Sequence, residues 1–545
     1  MLKEFMTEDC KKNINFDFIF DEVKPITKYG INCKKNAQPF LPGQEKELLI
    51  ELNKVETFLN ISKRRELIDI LKQIRYIGET LQRAKNNVVL DEVELFELKK
   101  FLVYVERLKK IIDNLKVDNM EKSLRGTLIS IYKDLEIKSL PHLDQLLDPA
   151  DQKMMTFYIY DEYSEKLAKI RADKKSVEVN IKQIRKKLIE GLHQKYDIRL
   201  NMHEEVIVNK NLVEKIDKLN QEENLRVSGE NYLSVIYKLK NNSELDVLEK
   251  ELEDLKTSED EEEQNVRKYL TEKIKEAYDD IIENAEKIGK IDFIIAKANC
   301  AQKTNSVKPE LTNELIIDIK NGRNLKLEDT LKHKKRKYTS VSVNLNKKVI
   351  CITGANMGGK TVSLRMIGQI ISAVAYGMFV PCESAKVCLF SHIHISVGDD
   401  QSIEKGLSTF GAEIVNLKEA LENAQDRSLI LIDELAGGTN PKEGFAITKA
   451  VVEYLKNSNS ISILTTHYDN IAQDKDIQNF QVLGLKLPDD LTSFSCIEEI
   501  SKYMDYTLVE VKNQNFTPKD AISIAKMAGI PKEIIDRATC LVSEQ

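Results

Sequence analysis

The sequence contains no tryptophan, and aromatic residues make up only 6% of its 545 residues. It has no run near the roughly 18 uncharged apolar residues that a membrane helix needs, so no membrane partner is expected. The N-terminal stretch MLKEFMTEDCKKN lacks the apolar segment of a signal peptide. These absences predict a cytoplasmic protein.

The eight cysteines are scattered and form no CxxC pair, and the seven histidines are mostly isolated. A disulfide framework and a zinc site are therefore not expected. The formal net charge of −6 gives no support to tight nucleic-acid binding over the whole surface, although it leaves room for a local basic groove.

Hydrophobic periodicity predicts a fold that combines α-helices with an α/β domain. We expect a helical core domain over residues 1–160, with mostly helical spacing from residue 45 to about 140. Lever helices should follow over 161–300, flanking a small clamp-like tip at about 203–240. A domain with a largely parallel sheet and a C-terminal helical segment is predicted over 301–545, where strands alternate with helices, and the glycine-rich motif GANMGGKT at 354–361 makes it a P-loop ATPase domain.

The two predicted levers differ in their patterns. The first should run from about Ser164 to Gln194, with a stripe formed by Val177, Ile181, Ile184 and Leu188. Such a stripe favours a core-facing side over an independent coiled coil. The second should extend from about Ser243 to Asn299, with an interruption at the acidic run TSEDEEEQ.

The stretch GANMGGKT, residues 354–361, matches the G-x-x-x-x-G-K-[ST] pattern of a phosphate-binding loop. It follows the apolar strand KVICIT and opens a helical run. Glycines let backbone N–H groups turn toward phosphates, and the helix N-terminus adds partial positive charge. The predicted ATP-binding residues are Gly354, Ala355, Asn356, Met357, Gly358, Gly359, Lys360 and Thr361.

Within this loop, Lys360 should reach the β- and γ-phosphates, and the Thr361 hydroxyl should bind Mg²⁺. A second apolar strand, LILI, ends on the acidic pair Asp433 and Glu434. We expect Asp433 to face the Mg²⁺ and Glu434 to polarise the attacking water as a catalytic residue. ATP and Mg²⁺ are thus the predicted cofactors.

A third apolar strand, ISILTT, leads to His467. A histidine at this place is predicted to sense the γ-phosphate as a second catalytic residue, although a lone histidine at a strand end is often structural. Between the motifs, GLSTF places Ser408 and Thr409 before a helix. Serine and threonine before a helix ordinarily serve as its N-cap.

The segments ITGANMGGKT, GLSTF, LILIDELAGGT and TTHYD occur in the order and spacing of the MutS-family ATPase domain. The ending AKMAGIPKEIIDRA resembles the helical segment that closes that domain, and IDFIIAKANCAQ resembles the end of the family's lever helix. The resemblance implies a homodimer in which Ser408 and Thr409 meet the nucleotide of the partner subunit.

The chain resembles a short form of the family, beginning at the core domain without the mismatch-reading and connector domains. The DELAGGTNPKEG stretch looks most like the second bacterial MutS subfamily. A MutL-like protein is one partner that this resemblance suggests.

Two targets for the ATPase remain open. In the first, the dimer closes its levers on DNA in repair or recombination and recognises DNA structure rather than a mismatch. The basic run KHKKRK at 332–337 supports this, whereas the slightly acidic tip opposes it. In the second, the ATPase acts on a protein client, such as a cobamide-dependent amino-acid mutase that it reactivates.

Overall fold

The structure is a computed structural model that describes residues 4–118, 134–151, 155–354, 359–397, 409–436, 439–466, 468, 471, 475–485, 503–511, 520–527 and 529–543. No helix in these ranges is long and apolar enough to cross a membrane.

The part of the chain before the tip is helical. Its elements are α1 (Glu8–Asn13), α2 (Phe16–Asp21), α3 (Lys28–Lys35), α4 (Glu45–Asn60), α5 (Arg64–Gln73), α6 (Gly78–Lys85), α7 (Glu92–Asp118), α8 (Pro141–Leu147), a 3₁₀ turn (Asp161–Tyr163) and α9 (Glu165–Tyr196).

The tip is a small folded module with its own apolar core. Its elements are β1 (Glu205–Asn209), α10 (Val213–Asn220), β2 (Leu225–Glu230) and β3 (Ser234–Leu239), and the antiparallel sheet has the order β1-β3-β2. The Tyr237 ring is buried in the core, and its hydroxyl donates a hydrogen bond to Asn220 Oδ1 at 2.8 Å. Strand β2 and helix α10 were not expected from the sequence.

Two long helices follow the tip, α11 (Ser243–Glu276) and α12 (Tyr278–Lys303). The predicted apolar stripe on α9 is confirmed, because buried Val177 and Ile181 pack with Leu245 of α11.

The predicted interruption at TSEDEEEQ is wrong, since α11 runs through the acidic segment without a break. Three of the five carboxylates in this segment, those of Glu259, Glu262 and Glu263, are paired with cations of α9. The guanidinium of Arg171 lies 3.0 Å from Glu259 and 2.7 Å from Glu263, and Lys174 also pairs with Glu259. These ion pairs reduce the repulsion among like charges that would weaken an isolated helix.

The C-terminal half alternates strands and helices. Its elements are β4 (Glu310–Leu311), β5 (Ile317–Gly322), α13 (Leu325–His333), β6 (Val341–Leu345), β7 (Val349–Thr353), α14 (Lys360–Ala375), β8 (Ser384–Val387), β9 (His392–Ser396), α15 (Thr409–Asn423), β10 (Ser428–Ile432), α16 (Pro441–Lys456), β11 (Ile461–Thr465), β12 (Ile477–Leu485), β13 (Met504–Glu510), α17 (Asp520–Met527) and α18 (Lys532–Ser543).

Six of these strands form one sheet in the order β13-β12-β7-β11-β10-β9. Every neighbouring pair is parallel except β12 and β13. Strands β10 and β11 are fully buried, as expected for a parallel sheet covered by helices. Apolar residues of α15 and α16 pack against one face, among them Leu417 and Leu455. The predicted fold class, α-helical with an α/β ATPase domain, is confirmed.

Contacts divide the chain into two compact units. One comprises residues 1–73, 108–137 and 285–545, and the other comprises 74–107 and 138–284. The first contains the six-stranded sheet, and the second contains the tip with α9 and α11. The three domains predicted from the sequence remain a proposal.

Candidate functional site

The candidate site lies at the carboxyl ends of the parallel strands β7, β11, β10 and β9. In open α/β sheets ligands bind beyond this edge of the sheet. Strand β11 separates β7, which leads into the phosphate-binding motif, from β10, which leads into the acidic pair. The end of β11 therefore lies between the two motifs.

The phosphate-binding motif is bounded by two glycines in left-handed conformations, Gly354 with φ of +131° and Gly359 with φ of +87°. Helix α14 begins at the next residue, Lys360, whose side chain is almost fully buried. Its Nζ donates a hydrogen bond to the Gly354 carbonyl at 3.0 Å. Burial lowers the pKa of Lys360, and the nearby Glu434 and Asp433 carboxylates partly offset this effect. The amine thus lies at the Gly354 carbonyl beside the start of α14.

The carboxylate of Asp433 accepts two hydrogen bonds from hydroxyl groups. Thr361 Oγ1 donates to Asp433 Oδ2 at 2.6 Å, and Thr465 Oγ1, from the end of β11, donates to Oδ1 at 2.6 Å. Thr361 and Asp433, which the sequence predicts to bind Mg²⁺, therefore lie side by side.

Glu434 has a left-handed backbone, with φ of +53°. Its N–H donates to Thr465 Oγ1 at 2.8 Å, so one hydroxyl group contacts both acidic residues. The Glu434 side chain is about half exposed, and its Oε1 lies 3.8 Å from Lys360 Nζ. A carboxylate that borders both solvent and the Lys360 amine can accept a proton from water.

Comparison with known proteins agrees with this geometry. Residues 350–544 match the model of MutS domain V. Over 99% of its length the chain is 26% identical to "Endonuclease MutS2" of Latilactobacillus sakei, covering 65% of that protein. It is 36% identical to the protein of the same name from Caldicellulosiruptor saccharolyticus, over 41% of this chain and 28% of the relative.

Residues 350–544 are thus matched to domain V of the MutS family, and the chain resembles MutS2 proteins along nearly all of its length. Its C-terminal region is the family's ATPase domain. A further relative, "Endonuclease MutS2" of Bacillus mycoides, is 30% identical over 53% of this chain and 35% of its own length. The chain thus spans less than two thirds of the length of these curated relatives.

Several predicted residues of the MutS-type site lie outside the described residues. Thr409 begins α15, but only its backbone is described. The residues outside the description are Ala355, Asn356, Met357, Gly358, Ser408 and His467. Their predicted roles in ATP binding, in the partner's site and in phosphate sensing stay predictions.

Three side chains join the site without having been singled out in the sequence. Thr465 was treated only as part of a strand, although its place at the end of β11 could have flagged it. The ring of Tyr506, on β13, lies 3.3 Å from the position that a Cβ on Gly359 would take. Glu413 of α15 accepts a hydrogen bond from the Ala436 N–H. Tyr506 and Glu413 reach the site from other parts of the sequence, and no local motif marks them.

The residues present fit a magnesium ion. Mg²⁺ prefers oxygen ligands and is commonly held by one or two carboxylates, waters and substrate phosphates. The Thr361 hydroxyl and the Asp433 carboxylate offer such oxygens side by side. When bound, the ion would neutralise charge on the phosphates. Among the described residues no cluster of three or more acidic, histidine or cysteine side chains offers a metal site made by protein ligands alone.

We predict that Thr465→Val lowers the rate of ATP hydrolysis by about tenfold to hundredfold, because hydrogen bonds to charged groups contribute about 1.5–3 kcal/mol. The substitution keeps the shape of the side chain but removes the hydroxyl that contacts Asp433 and the Glu434 backbone. Thr465→Ser keeps that hydroxyl and should stay near the wild-type rate. Steady-state turnover with both variants checks this, and a Val variant that turns over like wild type would contradict it.

Proposed function

We propose that this MutS-family chain acts as a homodimeric, ATP-driven DNA-binding protein. In this proposal ATP binding and hydrolysis control its closure on DNA, and the protein recognises DNA structure rather than a mismatched base. A cytoplasmic location and a MutL-like partner belong to the same proposal.

The proposed ATP hydrolysis is supported by one observation. Thr361 contacts Asp433, and beside them Lys360 lies near Glu434. Lys360 would hold the phosphates, while Thr361 and Asp433 would hold the Mg²⁺. Glu434 would take the proton from the attacking water. The backbone N–H of Glu434 is held by Thr465, while its side-chain carboxylate still reaches solvent. This arrangement suits a general base.

The aromatic ring of Tyr506 supports a nucleotide position at the start of α14. The ring is partly buried, burial raises its pKa, and the Arg336 guanidinium opposes that shift from nearby. An aromatic face can stack against a nucleobase. We therefore propose that the base of ATP lies against Tyr506.

The DNA half of the proposal rests on the relatives named above, which are called endonucleases, and on the charge of one segment. We call residues 332–337 the basic segment. Its residues are all exposed. Four of its lysines form no ion pair with any residue that the structure describes: Lys332, Lys334, Lys335 and Lys337.

Cations of the tip are placed differently. Lys210 lies 2.5 Å from Glu230, and Lys238 lies 3.5 Å from Glu205. Since these two cations already have carboxylate partners and the tip is slightly acidic, we propose that phosphate contacts come from the basic segment rather than from the tip. The comparisons give no support to the alternative in which a mutase is the client.

Binding to duplex DNA is expected to be weak at physiological salt, with Kd near 10⁻⁴ to 10⁻⁶ M, and to weaken steeply as salt rises. Replacing Lys334 and Lys335 together by alanine should reduce the slope of log affinity against log salt by up to about two, because each phosphate contact releases a counterion. The matched control replaces Lys46 and Lys63, which are exposed in the same unit.

Titrations of labelled duplex, branched and mismatched DNA at several salt concentrations measure these values. A mismatch should change affinity little, whereas a branch or bend could strengthen binding through shape. A strong preference for one mismatch would contradict the proposed specificity. No binding to any DNA at low salt would contradict the DNA proposal and favour a protein client.

A further inference from the structure

The turn after β10 holds two non-glycine residues in left-handed conformations. Glu434 has φ of +53° and Ala436 has φ of +60°. Such conformations are unfavourable for residues with a Cβ and persist when the surrounding structure holds them. Because Glu434 is the proposed catalytic base, the contacts that hold this turn also set the direction of its carboxylate.

Four elements hold the turn through hydrogen bonds. Strand β9 accepts the first N–H of the turn at 2.8 Å, β11 accepts the second at 2.8 Å, and α16 donates to a carbonyl at 3.3 Å. Helix α15 accepts the last N–H. The pairs are Asp433 N–H with Ser396 O, Glu434 N–H with Thr465 Oγ1, Thr448 Oγ1–H with Leu435 O, and Ala436 N–H with Glu413 Oε1.

The contact from Glu413 differs from the other three. It is made by a carboxylate, and hydrogen bonds to ionised acceptors are stronger than those between neutral groups. Ala436 is fully buried and Glu413 is half-buried, so water cannot readily replace the carboxylate on that N–H. Burial raises the pKa of Glu413, and the Ala436 N–H counteracts the rise.

Glu413 also connects the turn to the N-terminal end of α15. It lies four residues after Thr409, in the first turns of α15, whose start directly follows Ser408 in sequence. A displacement of α15 along or around its axis would therefore be passed by the Glu413 side chain to the backbone two residues beyond Glu434.

We propose that Glu413 is a positioning residue that holds the Ala436 N–H and thereby keeps Glu434 in the geometry needed for hydrolysis. The inference rests on the proposed ATP hydrolysis and extends it to the coupling of α15 with the catalytic carboxylate. Glu413 needs no contact with ATP in this role. What the role requires is an acceptor oxygen at the distance that a glutamate side chain reaches.

The test compares Glu413→Gln, Glu413→Asp and Glu413→Ala in the full chain. Glutamine has the same length and a carbonyl acceptor but no charge, so its single-turnover hydrolysis rate should fall by less than about tenfold. Aspartate keeps the charge but is one methylene shorter, and it should lose about as much rate as alanine. We expect a loss of about tenfold to hundredfold for both.

Binding of a fluorescent ATP analogue and thermal unfolding are measured in parallel. A positioning role predicts that analogue affinity in the Asp variant stays within about twofold of wild type, since Glu413 contacts none of the described loop residues that bind phosphate. Should the alanine variant fail to fold, the comparison of Gln with Asp still decides. Glu419→Ala, on an exposed position of the same helix, controls for a general effect on α15.

The outcomes separate this inference from the proposed function. A wild-type chain that does not hydrolyse ATP would overturn the ATPase proposal itself. A wild-type chain that hydrolyses ATP, with Glu413→Asp as fast as Glu413→Gln, would overturn only the role of Glu413. If the Asp variant loses analogue affinity and melting temperature together with its hydrolysis rate, the role of Glu413 is also overturned, because the contact would then be merely structural.

Discussion

Replacing Glu434 by alanine is expected to slow ATP hydrolysis by about 10²- to 10⁴-fold while the protein still binds ATP, because general-base assistance contributes a factor of this size. Lys360 Nζ is held by the Gly354 carbonyl at 3.0 Å as well as by Glu434 at 3.8 Å, so removing the Glu434 carboxylate should leave the Lys360 amine in place.

Replacing Lys360 by alanine should instead weaken ATP binding. This buried amine is the cation of the loop that can meet phosphate oxygens, and losing a charge-assisted hydrogen bond costs about 1.5–3 kcal/mol. We therefore expect ATP affinity to fall by about tenfold to hundredfold, with hydrolysis lost in consequence.

Equilibrium binding of a fluorescent nucleotide and single-turnover hydrolysis distinguish the two variants. Glu443→Ala is a matched control, because Glu443 is an exposed glutamate nine residues along the chain from Glu434. Equal losses of nucleotide affinity in the Lys360 and Glu434 variants would contradict the assigned roles.

The parts of the site that the sequence predicted are those whose chemistry is encoded locally. A glycine-rich loop between a strand and a helix needs its glycines, lysine and threonine at fixed spacing, so residues 354–361 could be recognised at once. An apolar strand that ends on Asp433 and Glu434 is a similarly local signal. Since both strands are parallel members of one sheet, their ends had to meet at one edge.

The parts that the sequence did not predict depend on long-range pairing. The intermediate strand β11 brings Thr465 between the two motifs, and this strand order is not readable from Thr465 itself. The continuity of α11 was missed for the same reason. Its acidic run is stabilised by Arg171 and Lys174, which lie more than 80 residues away in sequence.

The last prediction concerns the homodimer, in which the Ser408 segment of one subunit is proposed to complete the ATP site of the other. Ser408→Ala and Lys360→Ala chains should each be nearly inactive alone. Mixed in equal amounts with free exchange, half of the dimers pair one chain of each kind. Each such dimer has one site in which an intact Lys360 meets an intact Ser408, so about a quarter of all sites should regain activity.

A second mixture makes the test quantitative. Wild-type chains are combined with chains that carry both substitutions. If sites are completed by the partner, every mixed dimer is inactive and about a quarter of the sites remain active. If each chain completes its own site, the second mixture retains about half of the activity and the first regains none.

Subunit exchange is verified with two affinity tags before hydrolysis is measured. Recovery to about a quarter in both mixtures would support a site shared between subunits. It would also give a role to the position of α15, which begins directly after Ser408 and contacts the turn after β10. Glu413 of this helix accepts a hydrogen bond from the Ala436 N–H, two residues beyond Glu434. In a shared site, occupancy of one ATP site would therefore influence the hydrolysis rate of the other.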